Sequence, residues 1–421
     1  MSGMFENGNY QMSDESDMAT IDINKEFSLL DHMEISIVES EKRANGALNL
    51  REFYTVYLID TKVTDPDFEE AIRTIGSLWR RYTEFEMLRA YLETTYPYIV
   101  VPSLPEKRVL YAWQKVTTDT FDPDFVDRRR AGLETFLLRI ASHPTLSKDK
   151  QFMGFLQQTN GWRESLKAIG SSQNHDVKLN PLSIPEKLED RDKQFESYKT
   201  YASELHNNLN NFLRLRARLA EKQYHLFKLH ANYGRVFSEW SAIEKELGDG
   251  LQKTGHHLDS LAAVIDSHLE EEELIADQLK EWLFGASALQ AVIRRREALQ
   301  LSKEEATDNL NNAYEQRQKI VQGKLGLMSR LFGAVDSEEM RGQKCNQLEQ
   351  KIVVMENTVK EVDENLTSFS IKALSDIERF QRQKDTDIKE ALANYCLLQF
   401  KLAKKGLQTW QHIKQCLESM P

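Results

Sequence analysis

The sequence predicts an α+β domain, a three-stranded antiparallel sheet plus helices, followed by an all-α, elongated three-helix coiled coil. Three observations predict it. Short runs alternating apolar and polar residues cluster early in the chain. Helical spacing, punctuated by proline, follows them. Beyond about residue 190 the helical pattern continues for long stretches without a break.

Residues 1–30 are rich in Gly, Ser, Asp and Glu and read as a disordered leader. Met33 to Val38 alternates as a strand does, and so does Phe53 to Ile59, which is rich in β-branched and aromatic residues. A third short strand spans Ser77 to about Arg81. Phe85, Leu88, Leu92 and Tyr96 then recur at helical spacing until Pro97. A proline loop, Val101 to Lys107, leads to Asp122-Pro123-Asp124, an acidic cap with proline at the first helical turn. A last short helix near 148–158 completes a compact unit over 31–158, and the Gly, Ser, Asn and Pro of 159–190 read as a linker.

Residues 191–421 carry the long helices. Leu348, Ile352, Met355, Val359, Val362, Leu366, Phe369 and Ala373 alternate spacings of four and three, the pattern of a coiled-coil seam. Gly248-Asp249-Gly250 and Gly333 mark the breaks. Helices of roughly 55–75 residues would run about 80–110 Å, too long to fold into a globule.

Composition narrows the function. The chain has 421 residues, 40% hydrophobic and 29% charged, which suits two or three soluble, helix-rich domains. Its net charge of −11 argues against nucleic acid as a partner, which needs a basic footprint. An anionic membrane stays possible, because salt screening leaves the decision to local patches. Cys345, Cys396 and Cys416 show neither metal-ligand nor disulfide spacing, so reduced thiols are expected. No apolar run approaches the ~20 residues of a spanning helix, and no apolar core marks a signal peptide. A membrane would therefore be met from outside, on the cytosolic face. Gly323-Lys324 lacks the upstream glycine of a phosphate-binding loop, and no catalytic or metal-ligand motif appears. The expectation is a binding protein without cofactor, not an enzyme.

The run Leu78-Trp79-Arg80-Arg81-Tyr82-Thr83-Glu84-Phe85 places two arginines and a tyrosine at a strand-to-helix corner. Arginine can hold a phosphate with a planar pair of hydrogen bonds, and a tyrosine ring offers a flat wall to a sugar-like ligand. On spacing alone, a solvated arginine pair on an edge strand fits at least as well. Lys107 in the proline loop and Arg129 in the next helix are two further basic groups that could meet Arg81 in one pocket.

The spacing of Arg81-Tyr82-Thr83-Glu84-Phe85, then Pro102-Ser103-Leu104-Pro105-Glu106-Lys107, then Arg129-Arg130-Ala131-Gly132-Leu133-Glu134 resembles a PX domain, and the helical region resembles a BAR domain. Together they are similar to the PX-BAR sorting nexin family. The resemblance implies binding of phosphatidylinositol 3-phosphate. Arg81 would grip the 3-phosphate, with Tyr82 against the inositol ring and Thr83 beside the same phosphate. Lys107 would reach the 1-phosphate and Arg129 the 4- and 5-hydroxyls. Arg80 is assigned to structure, and Arg128 and Arg130 to a solvated helix face. One departure is visible: the loop reads Pro-Ser-Leu-Pro where a second proline is common.

The resemblance further implies a homodimer or a heterodimer with another PX-BAR sorting nexin, a curved membrane-binding face, cargo receptors as partners, and a role in early-endosome sorting, recycling and autophagy. Lys319, Lys324 and Arg330, or Arg294-Arg295-Arg296, are candidates for that face, and Val177 to Leu188 for a membrane-lying segment before the first long helix. A coiled-coil scaffold or tether without lipid readout is the alternative.

Overall fold

The computed structural model describes residues 27–45, 52–65, 76–107, 121–173, 188, 192–322 and 338–421. Nearly all of the leader and of the Val177 to Leu188 segment, the break at Gly333, and Lys324 and Arg330 lie outside the described residues. The first unit holds an antiparallel sheet in the order β1 (Met33–Asn45), β2 (Glu52–Val63), β3 (Leu78–Arg81). Met33, Ile35 and Ile37 bury alternate side chains, as a half-buried strand should. The register shifts between Ile37 and Glu39, leaving Val38 exposed, and β1 then runs on to Asn45 paired with Glu52. Both strands are longer than the periodicity suggests. Glu39 to Ala44 bury no side chain fully, so pairing with β2 is what chiefly keeps this stretch extended.

β3 pairs with β2 from Ile59↔Leu78 to Val56↔Arg81. It passes directly into α1 (Tyr82–Thr95), whose Phe85, Leu88 and Leu92 are fully buried. In α2 (Pro123–Ala141) the Asp122 carboxylate accepts from the Phe125 N–H at 3.2 Å, as the acidic cap and Pro123 foretell. After α3 (Lys150–Gln157) the structure departs from the expected linker. Residues Trp162–Gln173 form α4, and Trp162 and Leu166 belong to the first core. The Trp162 indole N–H donates to the Gln151 carbonyl at 2.9 Å, and Arg163 pairs with Glu84 at 2.9 Å. Two buried side chains and one ion pair outweigh the loop-forming composition around them.

The second unit consists of α5 (Lys193–Ser241), α6 (Gly248–Val321) and α7 (Glu338–Glu418). At 1.5 Å per residue they span about 75, 110 and 120 Å. α6 packs along both neighbours, and its buried residues recur from Leu251 to Ala313. On α7, Ile352, Leu366, Phe369 and Ala373 of the expected seam are buried, and the seam continues through Ile377, Phe380 and Ala391. Arg216 lies inside this bundle. Its pairs with Glu272 (2.8 Å) and Glu273 (2.5 Å) outweigh the burial that would favour its neutral form.

The two units pack together at the middle of the long helices. Arg139 of α2 pairs with Glu281 of α6 at 2.8 Å and with Asp387 of α7. Asp376 of α7 accepts from the Val100 N–H at 2.7 Å and pairs with His143 at 2.9 Å. Burial would raise the Asp376 carboxyl, but His143, Arg379 and the Val100 amide together hold it below the usual carboxylate range. Val100 itself enters the core of the long helices.

Candidate anion-binding site

Strand geometry sorts the two adjacent arginines. Successive side chains of β3 point to opposite faces, so Leu78 and Arg80 turn inward while Trp79 and Arg81 turn out. Arg80 is only 3% exposed. Its guanidinium donates to the carbonyls of Phe155 (2.8 and 3.0 Å) and Gln158 (2.6 Å) and pairs with Glu84 at 3.4 Å. It ties β3 to the end of α3, and burial lowers its pKa.

Arg81 has no carboxylate partner among the described residues. Its guanidinium carbon lies 3.4 Å from the centre of the Tyr54 ring on β2, while Trp79 and Arg43 make a second such pair at 4.6 Å. The Arg81 N–H donates to the Glu84 carboxylate at 2.8 Å, which fixes the turn into α1. Thr83 is exposed in the first turn of that helix.

Tyr82 opens α1 and is pinned to the proline loop: its hydroxyl donates to the Pro105 carbonyl at 2.6 Å. Burial, then the nearby Glu86 carboxylate, push its pKa up to about 12, so it stays a neutral donor. Arg129 comes up from α2 with its guanidinium 5.1 Å from the Tyr82 ring centre and 4.2 Å from that of Phe125. One of its amino groups donates to the Lys107 carbonyl at 2.9 Å, and its Nε is buried without a hydrogen-bond partner. The Lys107 ammonium stands 5.8 Å from the Tyr82 ring centre and pairs with Glu86 at 2.7 Å.

Tyr82, Lys107 and Arg129 are therefore brought together by direct contacts, with Arg81 and Thr83 at the adjoining corner. No direct hydrogen bond joins Arg81 to Lys107 or Arg129. Among the described residues, the arrangement offers a guanidinium without an acid, a second with an unpartnered donor, and an ammonium on a surface acid. Such a set suits a small polyanion bearing hydroxyls. No group of acidic, histidine or cysteine side chains suited to a metal occurs among the described residues.

Two residues escaped the sequence reading. Tyr54 sits on a strand whose register with β3 no local pattern gives, and Glu86 is one acid among many on α1. Other basic groups are corrected by the structure. Arg128 and Arg130 do not decorate a solvated face. Arg128 pairs with Glu273 at 3.1 Å across the two units, and Arg130 donates to the Ile37 carbonyl at 2.6 Å. In the Arg294-Arg295-Arg296 run, Arg295 donates to the Pro97 carbonyl at 3.3 Å and Arg296 pairs with Asp192 at 3.1 Å, leaving only Arg294 exposed.

The PX domain family model matches residues 73–159, the stretch that holds all five candidate residues. Sorting nexin-4 of Homo sapiens is 46% identical over 398 residues, covering 93% of this chain and 88% of its own length. Sorting nexin-4 of Mus musculus is 45% identical with the same coverage. Among solved structures, the Imp2 F-BAR domain superposes on 54% of this chain and 79% of its own, at 11% identity and a TM-score of 0.35.

Proposed function

This chain belongs to the sorting nexin family, sharing 46% identity with a sorting nexin-4 across 93% of its length, and we propose that it recognises phosphatidylinositol 3-phosphate on the cytosolic face of early endosomes. The observation that carries this reading is the corner itself. An outward arginine with no acid partner among the described residues stands beside a half-buried tyrosine held by Pro105, with Arg129 and Lys107 near the ring. Arg81 takes the 3-phosphate with Thr83 beside it, Tyr82 lines the inositol, Lys107 takes the 1-phosphate and Arg129 the 4- and 5-hydroxyls. A phosphate at either hydroxyl would have to replace those hydrogen bonds, which gives selectivity.

Residues 31–158, extended by α4, form the lipid-reading unit and 191–421 the pairing unit. Pairing is supported by an apolar face on two of the long helices. Leu226, Leu229, Tyr233 and Trp240 of α5 and Phe400 and Trp410 of α7 are all 45% or more exposed. The ring centres of His230 and Trp410 lie 6.2 Å apart, so the two helices adjoin there. A second copy of this chain, or another PX-BAR chain, covers that face. Two headgroup sites on one dimer raise the effective concentration at a membrane, so weak single contacts become firm binding. No helix among the described residues is long and apolar enough to cross a membrane, which suits attachment at the surface. The protein acts without catalysis, gathering cargo receptors into tubular carriers for endosomal recycling and supporting autophagy.

Flotation with phosphatidylcholine vesicles tests the lipid reading. Vesicles carrying phosphatidylinositol 3-phosphate should recover the full chain, and vesicles carrying unphosphorylated phosphatidylinositol should not. Equal recovery on both would remove the headgroup from the account. The Glu86–Lys107 pair gives a second expectation. Its partners are 36% and 61% exposed, so it contributes little and must yield to the 1-phosphate. Glu86→Gln should tighten binding of the soluble headgroup by about two- to fivefold in titration calorimetry.

A further inference from the structure

The proline loop that carries Lys107 is held from two directions. On the headgroup side, Tyr82 donates to the Pro105 carbonyl and Arg129 to the Lys107 carbonyl. On the other side its anchors belong to the long helices. Ser103 Oγ donates to the Glu281 carbonyl at 3.2 Å, and Glu106 accepts from the Lys280 ammonium at 3.1 Å. Pro105 rests directly on the α2 backbone, where a Cβ added to Gly132 would meet its Cβ at 2.7 Å.

Packing between the loop and α6 is incomplete. A partly open pocket of about 240 Å³ lies between the loop, α2 and α6, bordered by Glu106, Arg129, Lys280 and Phe284. At the edge of that pocket, the Lys280–Glu106 contact acts as a strut. Lys280 is 3% exposed and also bonded to Asp277 at 2.9 Å. Burial would favour its neutral form, but Asp277 and Glu106 hold its pKa above the ordinary lysine value, so the strut stays charged.

We propose that Lys280, in the pairing unit, is a positioning residue of the headgroup site. Through Glu106 it fixes where the proline loop presents Lys107 and receives Tyr82 and Arg129. The long helices then do more than pair two readers: they complete each reader's pocket. This inference rests on the headgroup reading above.

The test titrates short-chain, soluble phosphatidylinositol 3-phosphate into the full chain, which removes any contribution from avidity. Lys280→Met should raise the dissociation constant about tenfold at unchanged stoichiometry, because a displaced loop weakens every site. Simple loss of folded protein would instead lower the stoichiometry at an unchanged constant. Lys280→Arg, which keeps the charge, should stay near wild type. Glu106→Gln probes the same contact from the loop if Lys280→Met does not fold, and the double variant should be no weaker than either single one. Unchanged constants in both single variants would overturn the role of Lys280 and leave the headgroup site standing. Absence of binding by the wild-type chain would overturn both.

Discussion

Arg81→Ala should abolish flotation with vesicles carrying phosphatidylinositol 3-phosphate while lowering the melting temperature by no more than a few degrees and leaving the oligomeric mass as it is. Arg81 faces outward, and its side chain contacts the Tyr54 ring with no acid partner among the described residues. Deleting it costs the fold a half-exposed cation–π contact, about 0.5–1 kcal/mol. It costs the ligand two charge-assisted hydrogen bonds of about 1.5–3 kcal/mol each. A loss of about 3 kcal/mol or more corresponds to over a hundredfold in affinity. Arg81→Lys should recover little, since an ammonium cannot present the planar fork. Undiminished flotation of Arg81→Ala would end the assignment.

The neighbouring substitution should do the reverse. Arg80→Ala is expected to destabilise the first unit by about 3–5 kcal/mol, read as a lower urea midpoint, because it leaves two carbonyls without their donor and weakens the pairing of a buried acid. Glu84, 5% exposed, would keep only Arg163 and the Arg81 amide, and the carbonyls of Phe155 and Gln158 would lose their donor. An ammonium cannot reach both carbonyls and the carboxylate at once, so Arg80→Lys should be nearly as damaging. A midpoint unchanged from wild type would show that α3 is held without this arginine. If both results hold, two adjacent arginines separate lipid reading from folding.

What the sequence determined by itself is whatever repeats locally. Alternation in Met33 to Val38 and Phe53 to Ile59 placed the strands, the spacing of Phe85, Leu88 and Leu92 placed α1, and Asp122-Pro123 marked the start of α2. The heptad run from Leu348 to Ala373 announced α7. Each signal lies within one element, where backbone geometry alone decides which residues share a face. The five candidate residues were named on other grounds, since their spacing follows a family pattern.

Tertiary structure decided the fates of charges that look alike in one dimension. Arg128, Arg130, Arg295 and Arg296 all read as free cations, yet each meets an acid or carbonyl brought from elsewhere in the chain. Trp162 and Leu166 sit in linker-like sequence but complete a core whose other members begin at Leu29. The contact of Val100 with Asp376 spans 276 residues, and that of Glu106 with Lys280 spans 174. Local periodicity carries no information about such pairs. They exist because two units, each folded by its own pattern, bury polar surfaces against one another and must satisfy every charge they enclose.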